Sequence, residues 1–284
     1  MMDGETIQLR GLGIGYPTKH GVRTVAESID GTIRSGELTC LLGANGVGKS
    51  TLLRTLSAFQ PKIKGEVFIE GRELSTYLDK ELSRLIGVVL TEKPDVRNMR
   101  VRELVSLGRS PYTGFWGTYS KEDLKKVDEA ISLVGIESLS GRMVHTLSDG
   151  ERQKVMIAKA LAQQTPVIYL DEPTAFLDVE QRLIAARVIR KMVESQNAAS
   201  LIVDHDIVFI DYISDRAMVF DGTPGLNGHA SKPTDLRNAM NEFLGNLNIT
   251  FRRDKETKRP RVNKLDRYKD REQKEKGEYY YLSD

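Results

Sequence analysis

Short apolar runs alternate along the chain with longer segments in which apolar residues recur at helical spacing. The runs that resemble β-strands cover residues 38–42, 65–69, 167–170, 200–203 and 217–220. The helical segments cover residues 49–58, 100–108, 121–134 and 150–163. The runs at 167–170 and 200–203 are almost entirely apolar, which is typical of central strands covered on both faces. This alternation predicts an α/β fold in which helices pack on a mostly parallel sheet.

Residues 250–284 differ in charge from the rest of the chain. They carry 12 Lys and Arg against 8 Asp and Glu, whereas the remainder carries 30 against 32. Few aliphatic residues accompany these charges, a composition typical of an extended or loosely packed segment. We therefore divide the chain into a body of residues 1–248, with a helical subdomain near 90–165, and a basic C-terminal extension of residues 249–284.

The composition of the chain indicates the cellular compartment in which we expect the protein to work. Of 284 residues, 39% are apolar and 29% charged, and the formal net charge is +2. No apolar run approaches the roughly 18 residues of a membrane-spanning helix, and residues 1–6 lack the features of a signal peptide. Cys40 is the single cysteine, which excludes internal disulfides and a cysteine-held metal cluster within one chain. We expect it to be buried in the strand 38–42 and the protein to work in a reducing, cytoplasmic setting.

A glycine-rich loop, Gly-Ala-Asn-Gly-Val-Gly-Lys-Ser, occupies residues 43–50 between a predicted strand and a predicted helix. Its glycines let backbone N–H groups approach phosphate oxygens, and the helix start adds its positive end. In such a loop Lys49 bridges the β- and γ-phosphates of a nucleotide, and the Ser50 hydroxyl ligates Mg²⁺. A plain glycine-rich turn is the alternative. The predicted nucleotide-binding residues of this loop are Gly43, Ala44, Asn45, Gly46, Val47, Gly48, Lys49, Ser50 and Thr51.

Two acidic residues, Asp171 and Glu172, follow the predicted strand 167–170. The carboxyl end of a buried strand is where α/β sheets bind ligands. We expect Asp171 to hold Mg²⁺ through water and Glu172 to polarise the attacking water as general base. Pro173 cannot extend the strand ladder, so the chain turns there. The alternative is a surface acidic pair that only ends a strand.

Residues 147–153, Leu-Ser-Asp-Gly-Glu-Arg-Gln, begin the predicted helix 150–163. Ser148 and the backbone N–H of Gly150 lie at the positive end of this helix, which suits a γ-phosphate. Taken alone, the segment is an ordinary helix cap with an acidic first turn. Its position between the glycine loop and the acidic pair favours a contact with a second nucleotide.

In this order, the glycine loop, residues 147–153 and the acidic strand end resemble the ATP-binding cassette (ABC) family. In that family ATP lies between the phosphate loop of one cassette and the signature segment of another, here residues 147–153. The chain has one copy of each, so the resemblance implies a head-to-tail homodimer with two composite sites. It also implies that Tyr16 stacks on adenine, that Asp178 acts across the dimer and that His205 contacts the γ-phosphate. Without the resemblance, Tyr16 would be a core tyrosine and His205 a structural histidine.

The resemblance implies an ATPase that uses Mg²⁺. Water attacks the γ-phosphate of Mg·ATP, with Glu172 as base and with Lys49 and His205 as the further catalytic residues. The metal is held by Ser50 and Asp171. Ser148 and Gly150 of the partner chain complete each site.

Two positions depart from the family's pattern. Asp149 replaces the first glycine of the signature pair and brings a carboxylate near the partner's phosphates, which would weaken ATP binding. Thr91 stands where the family has a glutamine that links the metal site to the partner domain. We hypothesise that the neighbouring Glu92 serves as the metal-side ligand instead.

The resemblance changes along the chain. Up to about residue 178 it is to the ATPase subunit of bacterial importers of iron–siderophore complexes, haem or vitamin B12, through residues 105–112 and 146–153. After that it is to the archaeal ribosome-recycling ABC ATPase of the RNase L inhibitor type, through residues 179–183, 204–212, 251–254 and 279–281. That family has two cassettes and a cysteine-rich iron–sulfur domain. This chain has one cassette and one cysteine, so we do not expect it to be a complete member. We interpret the chain as a hybrid, natural or artificial, whose join lies near residues 178–189.

Three functions follow from these resemblances. The first is the energy-coupling subunit of such an importer, gripping polytopic membrane subunits through its helical insert on the inner face of the cell membrane. The second is a soluble ABC ATPase related to ribosome recycling, and the third is an uncoupled hybrid ATPase. In the ribosome-recycling function, the extension contacts RNA phosphates through its interleaved basic and aromatic residues. A solvated tail without a partner is the alternative for these residues, which are Arg252, Arg253, Arg259, Arg261 and Tyr268.

Overall fold

The computed structural model describes residues 4–19, 21–91, 96, 98–224, 227–254 and 260–281. In this part of the chain, eleven strands form one sheet and two more form a separate hairpin. The strands are β1 (Glu5–Thr18), β2 (Gly21–Arg34), β3 (Leu38–Gly43), β4 (Lys64–Ile69), β5 (Arg72–Glu73), β6 (Ile86–Val89), β7 (Val167–Asp171), β8 (Ala199–Val203), β9 (Arg216–Thr223), β10 (Asn227–Ala230), β11 (Thr234–Asp235), β12 (Phe251–Arg253) and β13 (Pro260–Val262).

The helices lie on both faces of this sheet and in a block between β6 and β7. They are α1 (Lys49–Leu56), α2 (Asp79–Leu85), α3 (Val101–Ser106), α4 (Lys121–Val134), α5 (Asp149–Gln163), α6 (Val179–Gln196), α7 (Ile207–Ile213), α8 (Leu236–Asn246) and α9 (Tyr268–Lys276). Among the described residues, no helix combines the length and the apolar character that a bilayer crossing requires.

The centre of the sheet is parallel. Strands β9, β3, β8, β7 and β6 are neighbours in that order and all run the same way. Every residue of β7 and β8 is buried, because helices cover both faces. The parallel register brings the ends of β3, β7 and β8 to one edge, where Asp171 pairs with Val203. The predicted α/β class is confirmed, and the predicted strands in this region lie within the observed ones.

Strands β1, β2, β4 and β5 form an antiparallel wing beside this parallel centre. We did not predict β1 and β2 from the sequence, although each has 14 residues. Their pairing shifts register at several points, for example between Leu9 and Leu12. Each bulge breaks the alternation of period two on which strand prediction depends. The wing brings Tyr16 towards the glycine loop.

Helices α3, α4 and α5 pack together within the range predicted for the helical subdomain. Helix α4 has the predicted limits, because Ser120 caps its first turn and Gly135 ends it in the left-handed conformation. A buried ion pair joins Arg109 to Asp123 at 2.9 Å. Arg109 also donates to the carbonyl oxygens of Ala162 and Gln163 at the end of α5. The 3₁₀ turn Leu107–Tyr112 is thereby fixed to the rest of the block.

The C-terminal extension is folded over its described residues, 249–254 and 260–281, so the prediction of an extended or loosely packed segment is wrong there. Strands β12 and β13 pair, α9 follows, and the side chains of Phe251 and Tyr280 belong to the main core. Beside them, several buried polar side chains are hydrogen-bonded to one another. Thr250, Asn263, Asp270 and Gln273 are buried there, and Thr250 Oγ1 donates to Asp270 Oδ1 at 2.5 Å. Composition alone could not distinguish such paired polar residues from solvated ones. The boundary near residue 248 stays a prediction.

Candidate active site

The glycine loop joins the end of β3 to the start of α1, as predicted. Gly43, Gly46 and Gly48 all have positive φ, a conformation that costs glycine little. Two of them are also held closely by their surroundings. A β-carbon on Gly43 would lie 2.4 Å from the Phe220 carbonyl oxygen, and one on Gly48 would lie 2.6 Å from Val25 Cγ1. Only glycine fits both positions without displacement of the loop, whose shape suits an anion bound by backbone N–H groups.

Lys49, the first residue of α1, is 6% exposed. Its Nζ donates to the carbonyl oxygens of Gly43 and Ala44, each at 2.8 Å. Burial lowers the pKa of Lys49, and the negative charges of Asp171 and Glu172 act in the opposite direction. The ammonium group is therefore held beside the loop and faces the two carboxylates predicted to share its site.

Ser50 and Asp171 meet across the sheet edge. Ser50 Oγ donates to Asp171 Oδ1 at 3.1 Å. Burial raises the pKa of Asp171, the hydrogen bond from Ser50 lowers it, and the charge of Glu172 raises it further. A hydroxyl and a carboxylate are the oxygen donors that a hard cation such as Mg²⁺ prefers. The two side chains therefore fit the metal role predicted for them.

Glu172 and His205 form the opposite side of the same site. His205 Nε2 lies 3.1 Å from Glu172 Oε1. The Glu172 backbone N–H donates to the Val203 carbonyl oxygen at 2.7 Å, and Glu172 itself has a φ of 51°. This left-handed conformation costs a non-glycine residue about 1 kcal/mol or more. The Glu172 side chain lies in one cleft with residues of the glycine loop.

Most of these residues line one open cleft of about 410 Å³. Tyr16 of the antiparallel wing lies at its edge and is 38% exposed. Among the described residues, the lining is Tyr16, Val25, Asn45, Gly46, Gly48, Lys49, Ser50, Thr51, Glu172, Val203 and His205. Val47 instead packs into the core, where it is 2% exposed. The structure thus brings most of the predicted nucleotide-binding and catalytic residues into a single cavity.

Ser148, Gly150 and Asp178 lie outside the lining of that cleft. Ser148 caps α5 by accepting from the Glu151 backbone N–H at 3.3 Å. Asp178 caps α6 by accepting from the Gln181 backbone N–H at 2.8 Å. A β-carbon on Gly150 would lie 3.1 Å from the Phe176 carbonyl oxygen, so the starts of the two helices are adjacent. Within one chain, Ser148 and Asp178 have structural capping roles, and that of Ser148 is the alternative that we gave for residues 147–153.

Gln153 and Thr91 contact the acidic strand end, and we predicted this contact for neither. Gln153 Nε2, on the first turns of α5, donates to the Glu172 carbonyl oxygen at 3.3 Å. Thr91 Oγ1 donates to the Asp171 carbonyl oxygen at 3.3 Å. Gln153 stood at the end of the predicted signature segment, but only the tertiary fold gives it this partner. The proposed ligand Glu92 lies outside the described residues.

Comparisons with known proteins identify the family of the chain. The family model described as ABC transporter matches residues 26–175. An uncharacterized ABC transporter ATP-binding protein of Methanocaldococcus jannaschii is 41% identical over 254 residues, which are 89% of this chain and 39% of that protein. The ferric enterobactin transport ATP-binding protein FepC of Escherichia coli is 36% identical over 208 residues, which are 72% of this chain and 75% of that protein.

A solved structure extends the comparison to the C-terminal extension. It is the crystal structure of the complex of archaeal ribosomal stalk protein aP1 and archaeal ribosome recycling factor aABCE1. The matched chain is 37% identical with a TM-score of 0.77, and the match covers 99% of this chain and 50% of that one. The chain spans about two fifths of the length of several curated relatives that it matches over most of its own length.

Neither likeness stops at the join predicted near residues 178–189. The match to FepC includes 208 residues and so continues past residue 178. The match to the recycling-factor structure covers 99% of this chain and so includes residues before it. Both likenesses therefore run across the region of the predicted join. Cassettes of this family bind ATP and dimerise. The glycine loop, the acidic strand end and these matches together show that the chain belongs to the ABC transporter family of ATPases.

Proposed function

We propose that the chain hydrolyses ATP in the cleft between the glycine loop and the ends of β7 and β8. The observation that carries this proposal is the convergence of five predicted side chains there. Lys49, Ser50, Glu172 and His205 line the cleft, and Asp171 accepts a hydrogen bond from Ser50 beside it. An amine, two carboxylates, a hydroxyl and an imidazole beside a ring of backbone N–H groups suit phosphoryl transfer to water, in which charge stabilisation matters most.

Each side chain has a distinct role in this proposal. Lys49 binds the β- and γ-phosphate oxygens, and Glu172 takes a proton from the attacking water. His205 orients the Glu172 carboxylate through the contact between their side chains and reaches the γ-phosphate. Ser50 and Asp171 would hold Mg²⁺, which when bound neutralises charge on the phosphate oxygens. Tyr16 stacks on the adenine at the open edge of the cleft.

The site requires a second copy of the chain. Ser148 and Gly150 lie outside the lining of the cleft, yet the positive end of α5 suits an anion. In a head-to-tail homodimer, the start of α5 in one copy faces the glycine loop of the other. Asp149 lies in this first turn, and its charge weakens ATP binding relative to a glycine there.

For the wider role we propose a soluble ATPase related to ribosome recycling. Two observations support it over import: the extension folds onto the body, and the likeness to the recycling-factor structure covers 99% of the chain. Arg253 and Arg261 form ion pairs with Asp211 and Asp254, so they are less suited to RNA than we expected. Arg259 lies outside the described residues. The proposed RNA contact surface is the exposed set Arg252, Lys264, Arg267, Tyr268 and Lys269.

Import is the second candidate. It is supported by the likeness to FepC and by two exposed aromatic residues in the helical subdomain. Phe115 is 94% exposed and Trp116 is 85% exposed, as suits residues that contact a partner. In this role the cassette lies on the inner face of the membrane against polytopic membrane subunits. The carried solute would be an iron–siderophore complex, haem or cobalamin.

The ATPase proposal is tested with Lys49→Ala. Removing a charge-assisted contact to the phosphates should weaken ATP binding by about tenfold or more. The matched control is Lys125→Ala on α4, where the side chain is 76% exposed. Calorimetric titration with Mg·ATP and a phosphate-release assay measure both variants. Equal affinities of the two variants would count against the glycine loop as the phosphate site.

The wider role is tested by sedimentation with small ribosomal subunits and by co-purification with co-expressed membrane subunits. Recycling predicts ATP-dependent sedimentation that falls when Lys264 and Lys269 are both changed to Glu. Reversing the charge of Lys125 should leave sedimentation unchanged. Import predicts no sedimentation with ribosomal subunits. It predicts recruitment to membranes that carry a polytopic subunit. If neither association occurs while ATP is hydrolysed, the uncoupled ATPase is the remaining function.

A further inference from the structure

Glu172, the proposed base, and His205, which orients it, lie on separate loops. Glu172 begins the loop after β7, and His205 lies in the loop after β8. Their mutual contact faces solvent, with side-chain exposures of 35% for Glu172 and 45% for His205. An exposed contact of this kind contributes little stability. Something else must therefore hold the two loops at a constant distance.

Asp204 makes that connection. Its Oδ2 accepts hydrogen bonds from the Thr174 backbone N–H at 3.2 Å and from Thr174 Oγ1 at 2.7 Å. Its Oδ1 accepts from the backbone N–H groups of His205 at 2.7 Å and Asp206 at 2.9 Å. Thr174 follows Glu172 by two residues, so one carboxylate is bonded to both loops. Asp204 is 7% exposed, which makes these bonds stronger than surface ones.

We propose that Asp204 is a positioning residue that sets the distance between Glu172 and His205; the inference rests on the proposed ATP hydrolysis at this site. Four donors converge on the two oxygens of one carboxylate. An asparagine offers one acceptor oxygen and one NH₂ donor. Its NH₂ group would oppose two of the four donors, whichever way the amide is turned. Only a carboxylate accepts all four bonds in this arrangement.

A neighbouring contact keeps the loops associated when Asp204 is changed. Arg182 Nε donates to the Leu177 carbonyl oxygen at 2.9 Å, and its guanidinium forms an ion pair with Asp206. These bonds join the same two loops farther from the reacting centre. We therefore expect Asp204→Asn to fold, with the loops joined but with Glu172 and His205 displaced relative to each other.

The test compares Asp204→Asn with Asp215→Asn. Asp215 also accepts a backbone N–H, that of Leu38, and pairs with Arg190, but neither partner lies on the loop of Glu172 or of His205. Asp204→Asn should lower kcat by about 10- to 100-fold, since small misplacements of catalytic groups have such effects. ATP affinity should change by less than about threefold because Lys49 and the glycine loop are untouched. Asp215→Asn should leave kcat unchanged.

A second readout does not depend on activity. Amide hydrogen exchange at Thr174, His205 and Asp206 should be faster in Asp204→Asn than in the parent protein. Thr174→Val removes one of the four bonds and should lower kcat less than Asp204→Asn does. Thr174→Ser keeps the hydroxyl and should retain the parental kcat. Unchanged kcat and unchanged exchange in Asp204→Asn would overturn the inference. Equal losses of kcat in Asp204→Asn and Asp215→Asn would also overturn it. If the parent protein does not hydrolyse ATP, the proposed function fails, and exchange still decides the role of Asp204.

Discussion

His205 Nε2 and Glu172 Oε1 lie 3.1 Å apart at the point where two parallel strands end. An imidazole that donates to a carboxylate fixes its orientation, and the second oxygen of Glu172 remains available for the proton of an attacking water. Glu172 has a left-handed backbone where β7 ends, and its side chain lines the cleft. The pair is therefore the part of the site most directly concerned with water activation.

Glu172→Gln should bind ATP normally and hydrolyse it roughly 100- to 10,000-fold more slowly, which is the usual contribution of a general base. The amide keeps the size and a hydrogen bond to His205 but cannot take a proton. Since ATP then persists between two copies, the variant should accumulate as an ATP-bound dimer. Phosphate release and analytical ultracentrifugation measure these two effects.

The matched control for this change is Glu122→Gln, a glutamate on α4 whose side chain is 77% exposed. It should hydrolyse ATP at the parental rate and show the parental dimer fraction. If Glu172→Gln turned ATP over as fast as this control, Glu172 would not be the base. If it were slow but remained monomeric with ATP, the dimer proposal would need revision and the base assignment would stand.

The residues that could be predicted from the sequence are those whose chemistry lies within one short segment. The glycine loop and the pair Asp171 and Glu172 are of this kind, because a strand, a turn and the functional groups are contiguous. The parallel strands could also be predicted from the sequence, because burial on both faces makes their residues mostly apolar. Gln153 and Asp204 could not be assigned in this way. Gln153 reaches its partner only when α5 packs beside the end of β7, and Asp204 only when β7 and β8 have paired.

Two parts of the fold were missed for different physical reasons. Strands β1 and β2 contain bulges, so their apolar residues do not alternate regularly. The extension was mistaken for a loose segment because its interior includes polar residues. Gln273 is 1% exposed, for instance, and donates to the Phe251 and Glu278 carbonyl oxygens. Paired and solvated polar residues look alike in a sequence, and the pairing appears only with the fold.

Cys40 should report global unfolding. The thiol is 0% exposed in β3, and burial raises its pKa to about 12. It should therefore resist a disulfide reagent near neutral pH while the protein is folded, and react at once in denaturant. Rapid labelling of the folded protein would show that β3 opens locally. ATP should slow labelling further, because ligand binding stabilises the folded state.

The same thiol predicts a loss of stability in alkali. The folded state retains the thiol proton more tightly than the unfolded chain, whose cysteine titrates near 9.0. The Cys40 contribution to the free energy of unfolding is therefore full below about pH 9 and falls as the pH rises towards about 12. Denaturant titrations of the parent and of Cys40→Ala at several pH values measure this, and the variant should lose less stability over that interval. Parallel losses would contradict it.

Tyr280 should hold the extension on the body. Its hydroxyl donates to Asp211 on α7, and Tyr280 is 5% exposed. Tyr280→Phe leaves a half-buried carboxylate with one partner fewer and should lower the free energy of unfolding by about 1–3 kcal/mol. Tyr268→Phe is the control, because that side chain is 79% exposed. Equal denaturation midpoints for the two variants would show that the Asp211 contact contributes nothing to stability.

The composite site predicts that two inactive variants restore each other. Lys49→Ala removes the phosphate contact of the glycine loop, and Ser148→Arg places a bulky side chain at the start of α5. Each homodimer then carries one lesion in both of its sites. In a head-to-tail heterodimer, both lesions fall in one site and the other site is intact.

Mixing the two variants in equal amounts should therefore recover roughly a quarter of the parental ATPase rate, since half of the dimers are mixed and each has one working site. Phosphate release is followed after the chains have exchanged, with each variant alone as the control. Mixing with Glu172→Gln in place of Ser148→Arg should give no recovery, because in that heterodimer each glycine-loop side carries a lesion. Absence of recovery in the first mixture, despite mixed dimers seen by native mass spectrometry, would mean that α5 of one copy does not complete the cleft of the other.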